Sequence, residues 1–521
     1  MTTIVNDAPA AAAETEVTSP PTPEQVLART ASGHGMGGGT RSARGHGYEL
    51  RGLGYVPASR SYEGRFGRMF RLPPFTPTPE RILEVAALML EGDSARDSSI
   101  DNPDIPAGFT YLGQFIDHDL TFDTASSLDR QNDPDALTNF RTPRFDLDSL
   151  YGRGPADDPF LYSKASGREA FLIGRHDDED DLPRNEEGTA LIGDPRNDEN
   201  VFVSQLQLTM LKFHNAVLAR VHDDPALLQG LESPFEAAQR IVRWHYQWLV
   251  VHDYLRRTVG AQMLDDVLDT SGPVPRVVRR AYHWRYEPYM PVEFSVAAYR
   301  FGHSQIRGRY RLNTLVGAQQ GGLPTFKPGS VNDDPLGHFG GFRVLPAFWT
   351  IEWARFFEVA GAGSDALQLT RAIDTRLANP LHDLPAEIGG SRPSLIDRNL
   401  TRGARLMLPS GQAVAHHMGA TVLDDTTLGL PEGGPAPLWY YILKEAEVQA
   451  GGRHLGEVGG RIVAEVFLGL MEKDPSSYLH QQPDWTPTLP SAVAGDFTMA
   501  DLITLAGHGL GVTTFAPTPG G

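Results

Sequence analysis

Cysteine is absent from all 521 residues. That excludes disulfides, thiolate metal sites, cysteine nucleophiles and thiolate-ligated haem. It also suits a protein that handles oxidants. Long apolar runs are missing as well: none approaches the ~18 residues of a membrane span. The opening MTTIVNDAPAAAAETEV has neither a basic n-region nor a hydrophobic h-region, so no cleaved secretory signal is expected. Glu14, Glu16 and the lack of early arginine speak against a transit peptide. Positive charge is in deficit, with a formal net charge of −19 and a pI near 5.3. An acidic surface argues against nucleic acid and anionic membranes as partners. The expected location is cytoplasmic, with export as the alternative.

Residues 1 to about 45 are rich in Ala, Pro, Thr and Gly and read as a disordered arm. Residues 514–521 read as a flexible tail, which leaves 46–513 as one domain. Helices are expected near 78–92, 107–120, 198–222, 235–258, 291–303, 345–360, 436–449 and 458–472. In the 198–222 stretch Val203, Leu206, Met210, Phe213, Val217 and Val221 recur at helical spacing. Leu208, Leu211 and Leu218 occupy its other side, so that helix is expected to be buried all round. Strand-like alternation is sparse, and 40 prolines and 54 glycines point to long loops. The fold class is mainly α, a single helical domain with long loops and little β.

The most informative segment is GQFIDHDLTFD, Gly113 to Asp123. A buried helix avoids charged groups unless something consumes their charge and hydrogen bonds. Gln114 and His118 are four apart and share a face, with Asp117 flanking it. Asp119 points nearly the opposite way. One helix thus offers Gln114, Asp117 and His118 to a cofactor cavity and Asp119 to a cation behind it. The competing reading is a solvated face with a satisfied histidine. Tyr111, Leu112, Phe115, Ile116, Leu120 and Phe122 around the polar groups weaken that reading.

Four further segments carry chemistry. In Thr142 to Gly152, Thr142, Arg144, Asp146 and Asp148 alternate, so an extended loop projects them to one side. With Asp119 they would supply three carboxylates to a hard oxygen site suited to calcium; alone, the loop reads as an acidic surface. In GDPRNDEN, Arg196 and Glu199 are three apart before a buried helix, where Glu199 can also simply complement the helix dipole. In AAYRFGHSQIR, His303 follows an apolar helix and a glycine, a good place for an axial metal ligand, though a lone histidine is more often core. In RNLTRGARLMLPSGQ, Asn399 can orient a ligand histidine through its ring N–H.

The order of these segments resembles the animal-type haem peroxidases of the peroxidase–cyclooxygenase superfamily, over about residues 107 to 475. It runs from Gly-Gln-x-x-Asp-His-Asp through the acidic loop ending in Tyr-Gly. Arg-x-x-Glu follows, before a helix carrying His214-Asn215, then Arg-x-Gly-His and Asn-x-x-Arg. The resemblance implies a bacterial haem peroxidase containing haem b and Ca2+, with a role in the response to oxidative stress. It would reduce hydrogen peroxide through an oxo-ferryl haem and oxidise a halide, thiocyanate or small organic donor. It implies His118 as distal acid–base, Gln114 as its neighbour and Arg196 as the distal arginine. It implies His303 as proximal iron ligand, Asn399 accepting the other ring proton, and Arg300 beside the haem. Asp119, Thr142, Arg144 through its carbonyl, Asp146 and Asp148 would hold calcium. Asp117 and Glu199 match carboxylates that esterify haem methyl groups in mammalian members.

The resemblance also carries a mechanism. Neutral His118 takes a proton from peroxide and returns it to the leaving oxygen. Arg196 stabilises the charge that develops there. His303, hydrogen-bonded through its far nitrogen, is the more basic for it and supports oxidised iron.

Some positions depart from the family. Asn200 stands where a mammalian member has a methionine bonded to the haem vinyl, so that sulfonium link is not expected. Arg144 and Asp148 replace the usual phenylalanine and serine of the calcium loop. Tyr282-His283-Trp284 echoes a cyclooxygenase motif, but the third residue after Tyr282 is Arg285, which cannot ligate iron. Three before His303 stands Arg300, with Tyr299 four before. The alternatives are a haem-dependent fatty-acid dioxygenase of the same superfamily and a non-catalytic haem-binding or assembly protein. The latter would have lost His118 or Arg196, and both are present. A nonhaem di-metal oxygenase would need paired Glu-x-x-His motifs, and none is found.

Overall fold

The computed structural model describes residues 66–92, 98–121, 143–176, 179–230, 233–285, 287–318, 321–327, 334, 336–359, 367–385 and 392–511. The arm expected over 1–45 and the tail over 514–521 lie outside the described residues, as do Phe122, Asp123 and Thr142.

Among the described residues the helices of eight residues or more are α1 (Pro79–Leu88), α2 (Gly108–Leu120), α3 (Val201–Asp223), α4 (Pro234–Leu249), α5 (Leu395–Arg405), α6 (Gly411–Met418), α7 (Leu438–Ala450), α8 (Glu457–Lys473) and α9 (Met499–Ala506). Every sheet among the described residues has two strands; the longest strand, Asp101–Pro106, pairs antiparallel with Leu369–Arg371. The expected mainly α architecture with little β is what the chain adopts.

Helix α3 is the central element. Asn200 caps it, its side chain accepting from Val203 N at 3.0 Å. All nine apolar residues that predicted an all-round buried helix are buried. It packs on α2, α4 and α9. Helix α2 is set against it, and Tyr111 of α2 stacks on Phe202 of α3 at 4.1 Å between ring centroids. Gly108 lets the start of α2 reach the chain at Phe356: its N–H donates to Phe356 O at 2.9 Å, and a Cβ there would sit 2.4 Å from the Phe357 ring.

Two expected helices change character. The 235–258 helix is α to Leu249, π over Val250–Leu255 and α again over Arg256–Val259. The 345–360 helix does not form; short 3-10 turns occupy Ala347–Trp349 and Trp353–Arg355. Pro346 and the β-branched pair Thr350-Ile351 disfavour a regular helix there. Its amides go elsewhere: Glu352 N donates to Leu312 O at 3.1 Å and Trp353 N to Gly509 O at 3.0 Å. The apolar spacing that suggested a helix instead buries Trp349, Trp353, Phe356 and Phe357 from separate turns. The 291–303 stretch is a short α-helix, Val292–Val296, followed by a 3-10 helix, Ala298–His303. The latter packs on α2, α7 and α8.

Candidate active site

A cavity of about 540 Å³ is lined by α2, the start of α3, the π-helix, the 3-10 helix ending at His303, and α5. One stripe of α2, Thr110, Gly113, Gln114, Asp117 and His118, faces it at helical spacing. Asp119 is turned away, as expected.

On α2, His118 is buried, and Asn197 orients it. The imidazole Nδ1 and Asn197 Oδ1 are 2.7 Å apart, and Asn197 Nδ2 donates to Gln207 Oε1 at 2.8 Å. With its amide nitrogen so used, Asn197 presents an acceptor, which places the ring proton on Nδ1. Nε2 is left as a base, 3.7 Å from Glu199 Oε1. Burial, reinforced by the Arg196 charge, lowers the His118 pKa to about 4. Burial raises Glu199 to about 7. The two are therefore not a standing ion pair at neutral pH. Gln114 Nε2 donates to Glu199 Oε1, and Gln114 Oε1 accepts from Asn200 Nδ2 at 3.0 Å.

Arg196 is held differently from expectation. Its Nε and Nη2 bond the buried carboxylate of Asp194, Nη2 at 2.8 Å, and Nη2 also donates to His118 O at 2.9 Å. It is not among the cavity-lining residues. Its charge reaches the site through its effect on His118.

His303 lines the same cavity. Burial chiefly, with the Arg300 and Arg398 charges, lowers its pKa to about 3, so the ring is neutral. Nδ1 lies 2.8 Å from Asn399 Nδ2. Iron on Nε2 requires Nδ1–H to donate instead, to the carboxamide oxygen, which a half-turn of the amide supplies. Arg300 and Arg398 also line the cavity. Burial lowers Arg300 to about 10 while Asp117 opposes that fall.

The donor set fits haem. One neutral histidine with an asparagine behind it suits axial iron, two guanidiniums suit propionates, and the walls are largely apolar. Two buried hydroxyls on the lining, Thr110 Oγ1 and Ser295 Oγ, have no protein hydrogen-bond partner. Gly113 adds a cradle: a Cβ there would meet the Tyr254 hydroxyl at 2.6 Å.

The animal haem peroxidase family model matches residues 125–327. The chain is 24% identical to chorion peroxidase of Drosophila melanogaster over 224 residues, 42% of this chain and 24% of that one. It is 29% identical to a peroxidase-like protein of Margaritifera margaritifera over 225 residues, 42% of this chain and 26% of that one. It thus spans about a quarter of the length of these curated relatives. The fold is similar to that of Peroxidase A from Dictyostelium discoideum, with a TM-score of 0.56 at 16% identity, over 86% of this chain and 94% of that one. It is also similar to a fatty acid alpha-dioxygenase of Arabidopsis thaliana, with a TM-score of 0.53 at 16% identity, over 78% and 72%.

Over residues 125–327 the chain is similar to the animal haem peroxidases.

The matched stretch contains Asp146, Asp148, Arg196, Glu199 and His303, while Gln114, Asp117, His118 and Asn399 lie outside it. The structure brings Gln114, Asp117, His118, Glu199, Arg300 and His303 to one cavity, with Asn399 behind His303.

Asp119, Asp146 and Asp148 form a separate cluster, with one oxygen of each within 4.8 Å of the others. Burial and the neighbouring Asp148 raise the Asp146 pKa, the strain expected of carboxylates gathered for a cation. Leu147, at φ +59°, turns the loop. The Arg144 side chain runs to Asp474 at 3.4 Å.

His214-Asn215 proves structural. His214 Nδ1 is 3.0 Å from the Tyr151 hydroxyl, and Asn215 pairs with the backbone of Phe171 at 2.7 and 3.0 Å. Tyr282 is buried, donates to Tyr289 O at 2.5 Å and does not line the cavity. Sequence reasoning missed Asn197, Tyr254, Phe342 and Arg398. Tyr254 reaches the cavity from the π-helix, a distortion with no sequence signature.

Proposed function

We propose that this protein is a haem-dependent peroxidase that reduces hydrogen peroxide and oxidises a halide, thiocyanate or small organic donor. One observation carries the reading. Two neutral histidines line a single cavity, His118 oriented by Asn197 and His303 backed by Asn399.

Haem, when bound, supplies the two-electron redox chemistry. His303 would hold its iron, and Arg300 and Arg398 its propionates. His118 Nε2 takes the peroxide proton and returns it to the departing oxygen. Arg196, locked on Asp194, contributes a fixed positive field that keeps His118 neutral and ready to accept. Gln114 holds Glu199 beside that nitrogen.

Asp119, Asp146 and Asp148, with the Arg144 carbonyl and Thr142, would hold calcium. Asp117 and Glu199 would form esters to the haem. A fatty-acid dioxygenase is the second reading, favoured by Tyr299 and Tyr254 on the cavity wall and by the likeness in fold to the Arabidopsis enzyme.

A pyridine haemochrome spectrum of protein produced with haem tests the cofactor, and H303A tests its ligand. Unchanged haem content and ferric spectrum in H303A would reject His303. Oxygen uptake with a fatty acid, and no peroxide consumption with any donor, would favour the dioxygenase.

A further inference from the structure

Away from the cavity of His118 and His303, a cleft of about 620 Å³ opens between α1 and α5. One wall follows from the pattern of α5. Asp397, Thr401, Ala404 and Arg405 recur at helical spacing and line the cleft together. Asn399 stands about 200° around the helix from Thr401 and reaches the other way, to His303. One helix thus backs two separate cavities. The opposite wall comes from α1 and the chain before it. Thr78 caps α1, its side chain accepting from Arg81 N at 3.3 Å, and Pro79 opens the first turn. That start sets Pro77, Pro79, Ile82 and Leu83 on the cleft. Ile82 is buried, but Leu83 is 61% exposed, an apolar side chain left to water on the cleft wall.

The charged groups of the cleft are not equally engaged. Arg392 is committed: its Nη1 donates to Asp397 Oδ2 at 3.2 Å and to Thr401 Oγ1 at 3.1 Å. Thr401 Oγ1 in turn donates to Asp397 Oδ1 at 3.2 Å. Asp397 is thereby neutralised by Arg392 and held by Thr401. Arg405 differs, because its Nη1 is buried without a hydrogen-bond partner. Such a nitrogen has lost the water it would have bonded, a cost that an incoming anion relieves. Two arginines against one aspartate leave the described lining one positive charge in excess, in a chain whose net charge is −19. The rest of the wall is mostly proline and aliphatic, so it offers a ligand apolar contact rather than further hydrogen bonds.

We propose that the cleft between α1 and α5 binds a small organic carboxylate, its charged group on Arg405 and its apolar body on Pro79, Ile82 and Leu83. One excess positive charge matches one carboxylate, and a compact apolar body takes the exposed Leu83 out of water. Inorganic phosphate carries charge but has nothing to place on that wall. A neutral alcohol with the same body leaves Arg405 Nη1 unpaired. The site lies apart from the peroxide chemistry and does not rest on the peroxidase reading.

Calorimetric titration of the full chain, produced with haem, tests this with cyclohexanecarboxylate, cyclohexylmethanol and inorganic phosphate. The carboxylate should bind at least about tenfold more tightly than the alcohol or the phosphate, the worth of one charge-assisted contact or of the apolar body. Arg405→Gln should weaken the carboxylate about tenfold and leave the alcohol as it was. Leu83→Asp, at an exposed position where folding tolerates a polar residue, should weaken the carboxylate by a similar factor, because it sets a like charge on the apolar wall. Melting temperatures check that both variants fold. An affinity for the carboxylate that neither variant changes puts the molecule elsewhere on the protein and overturns the assignment. Alcohol or phosphate binding as tight as that of the carboxylate in the parent, or no carboxylate binding at millimolar concentration, overturns it as well.

Discussion

Asn197 Oδ1 lies 2.7 Å from His118 Nδ1, and the same Asn197 donates its amide to Gln207. The imidazole therefore has one tautomer available, with Nε2 as the base facing Glu199. Asn197 never reaches the cavity wall, so it acts through the ring that does.

Replacing Asn197 with alanine should leave haem binding intact and slow the reaction with peroxide. A hydrogen-bond partner that orients a working histidine in this way is worth about 10–100-fold. A stopped-flow Soret change on mixing with peroxide reads the rate, and haemochrome content checks the cofactor. A rate equal to that of the parent would show that His118 does not need Asn197 to hold its tautomer.

Calcium removal should disturb both stability and the cavity. Asp119 is one residue from His118 on α2, and its carboxylate accepts from Leu147 N at 3.3 Å and Ser149 Oγ at 3.4 Å. The cluster thus ties the helix to the acidic loop. At calcium a hundredfold above its Kd, binding contributes about 2.7 kcal/mol. Chelation followed by metal analysis should show calcium loss, a lower Tm and slower peroxide reactivity together. Bound metal lost with no change in either property would reject the site.

These predictions differ in how far the sequence could reach. Local spacing along one helix was legible: the α2 stripe and the turning away of Asp119 follow from 100° per residue. So was α3, where apolar residues occur on every side. Helix α5, which carries Asn399, is not legible as a helix in the sequence. Its apolar residues are few, and Asn399 itself is buried, which breaks the pattern that periodicity relies on. The π-helix, the left-handed backbone at Phe342 and the commitment of Arg196 to Asp194 depend on backbone geometry and on which of several partners a side chain takes. Residue types at a given spacing do not encode either.

Acid should destabilise the fold through its buried histidines. His245 is fully buried; Nδ1–H donates to Ile241 O at 2.7 Å, and Nε2 accepts from Thr488 N and Leu489 N, each at 3.1 Å. Burial lowers its pKa from 6.5 to about 4. The unfolded chain takes a proton below pH 6.5 and the folded chain does not until about 4, so U binds more protons across that window. Stability is then lost as pH falls from 6.5 toward 4, by up to about 3 kcal/mol. Glu445, which burial raises to about 7, acts in the opposite sense, its contribution fading as pH rises from 4.5 to 7. Denaturant titrations at several pH values should show H245Q with an acid slope about one proton shallower than that of the parent. Equal slopes would remove His245 from the acid limb.

The two carboxylates on the cavity wall predict covalent haem attachment. Asp117 comes from α2 and Glu199 from the segment before α3, so they can address different edges of one porphyrin. Each ester joins a carboxyl oxygen to a haem methyl carbon. The methyl group loses two electrons and a proton, the carboxylic acid loses its proton, and one hydrogen peroxide becomes two waters. Protein freshly loaded with haem should therefore hold it reversibly and become covalently labelled on treatment with peroxide. Two esters is the limit; a sulfonium bond cannot form, because Asn200 carries no sulfur and its side chain caps α3 and holds Gln114. D117N and E199Q should each leave one link, and the double variant none. Glu199 is expected to react less readily at low pH, where burial keeps it protonated up to about 7. Mass spectrometry of tryptic haem peptides locates the links. Haem that extracts fully into acidic organic solvent after peroxide turnover would show that both carboxylates only line the cavity.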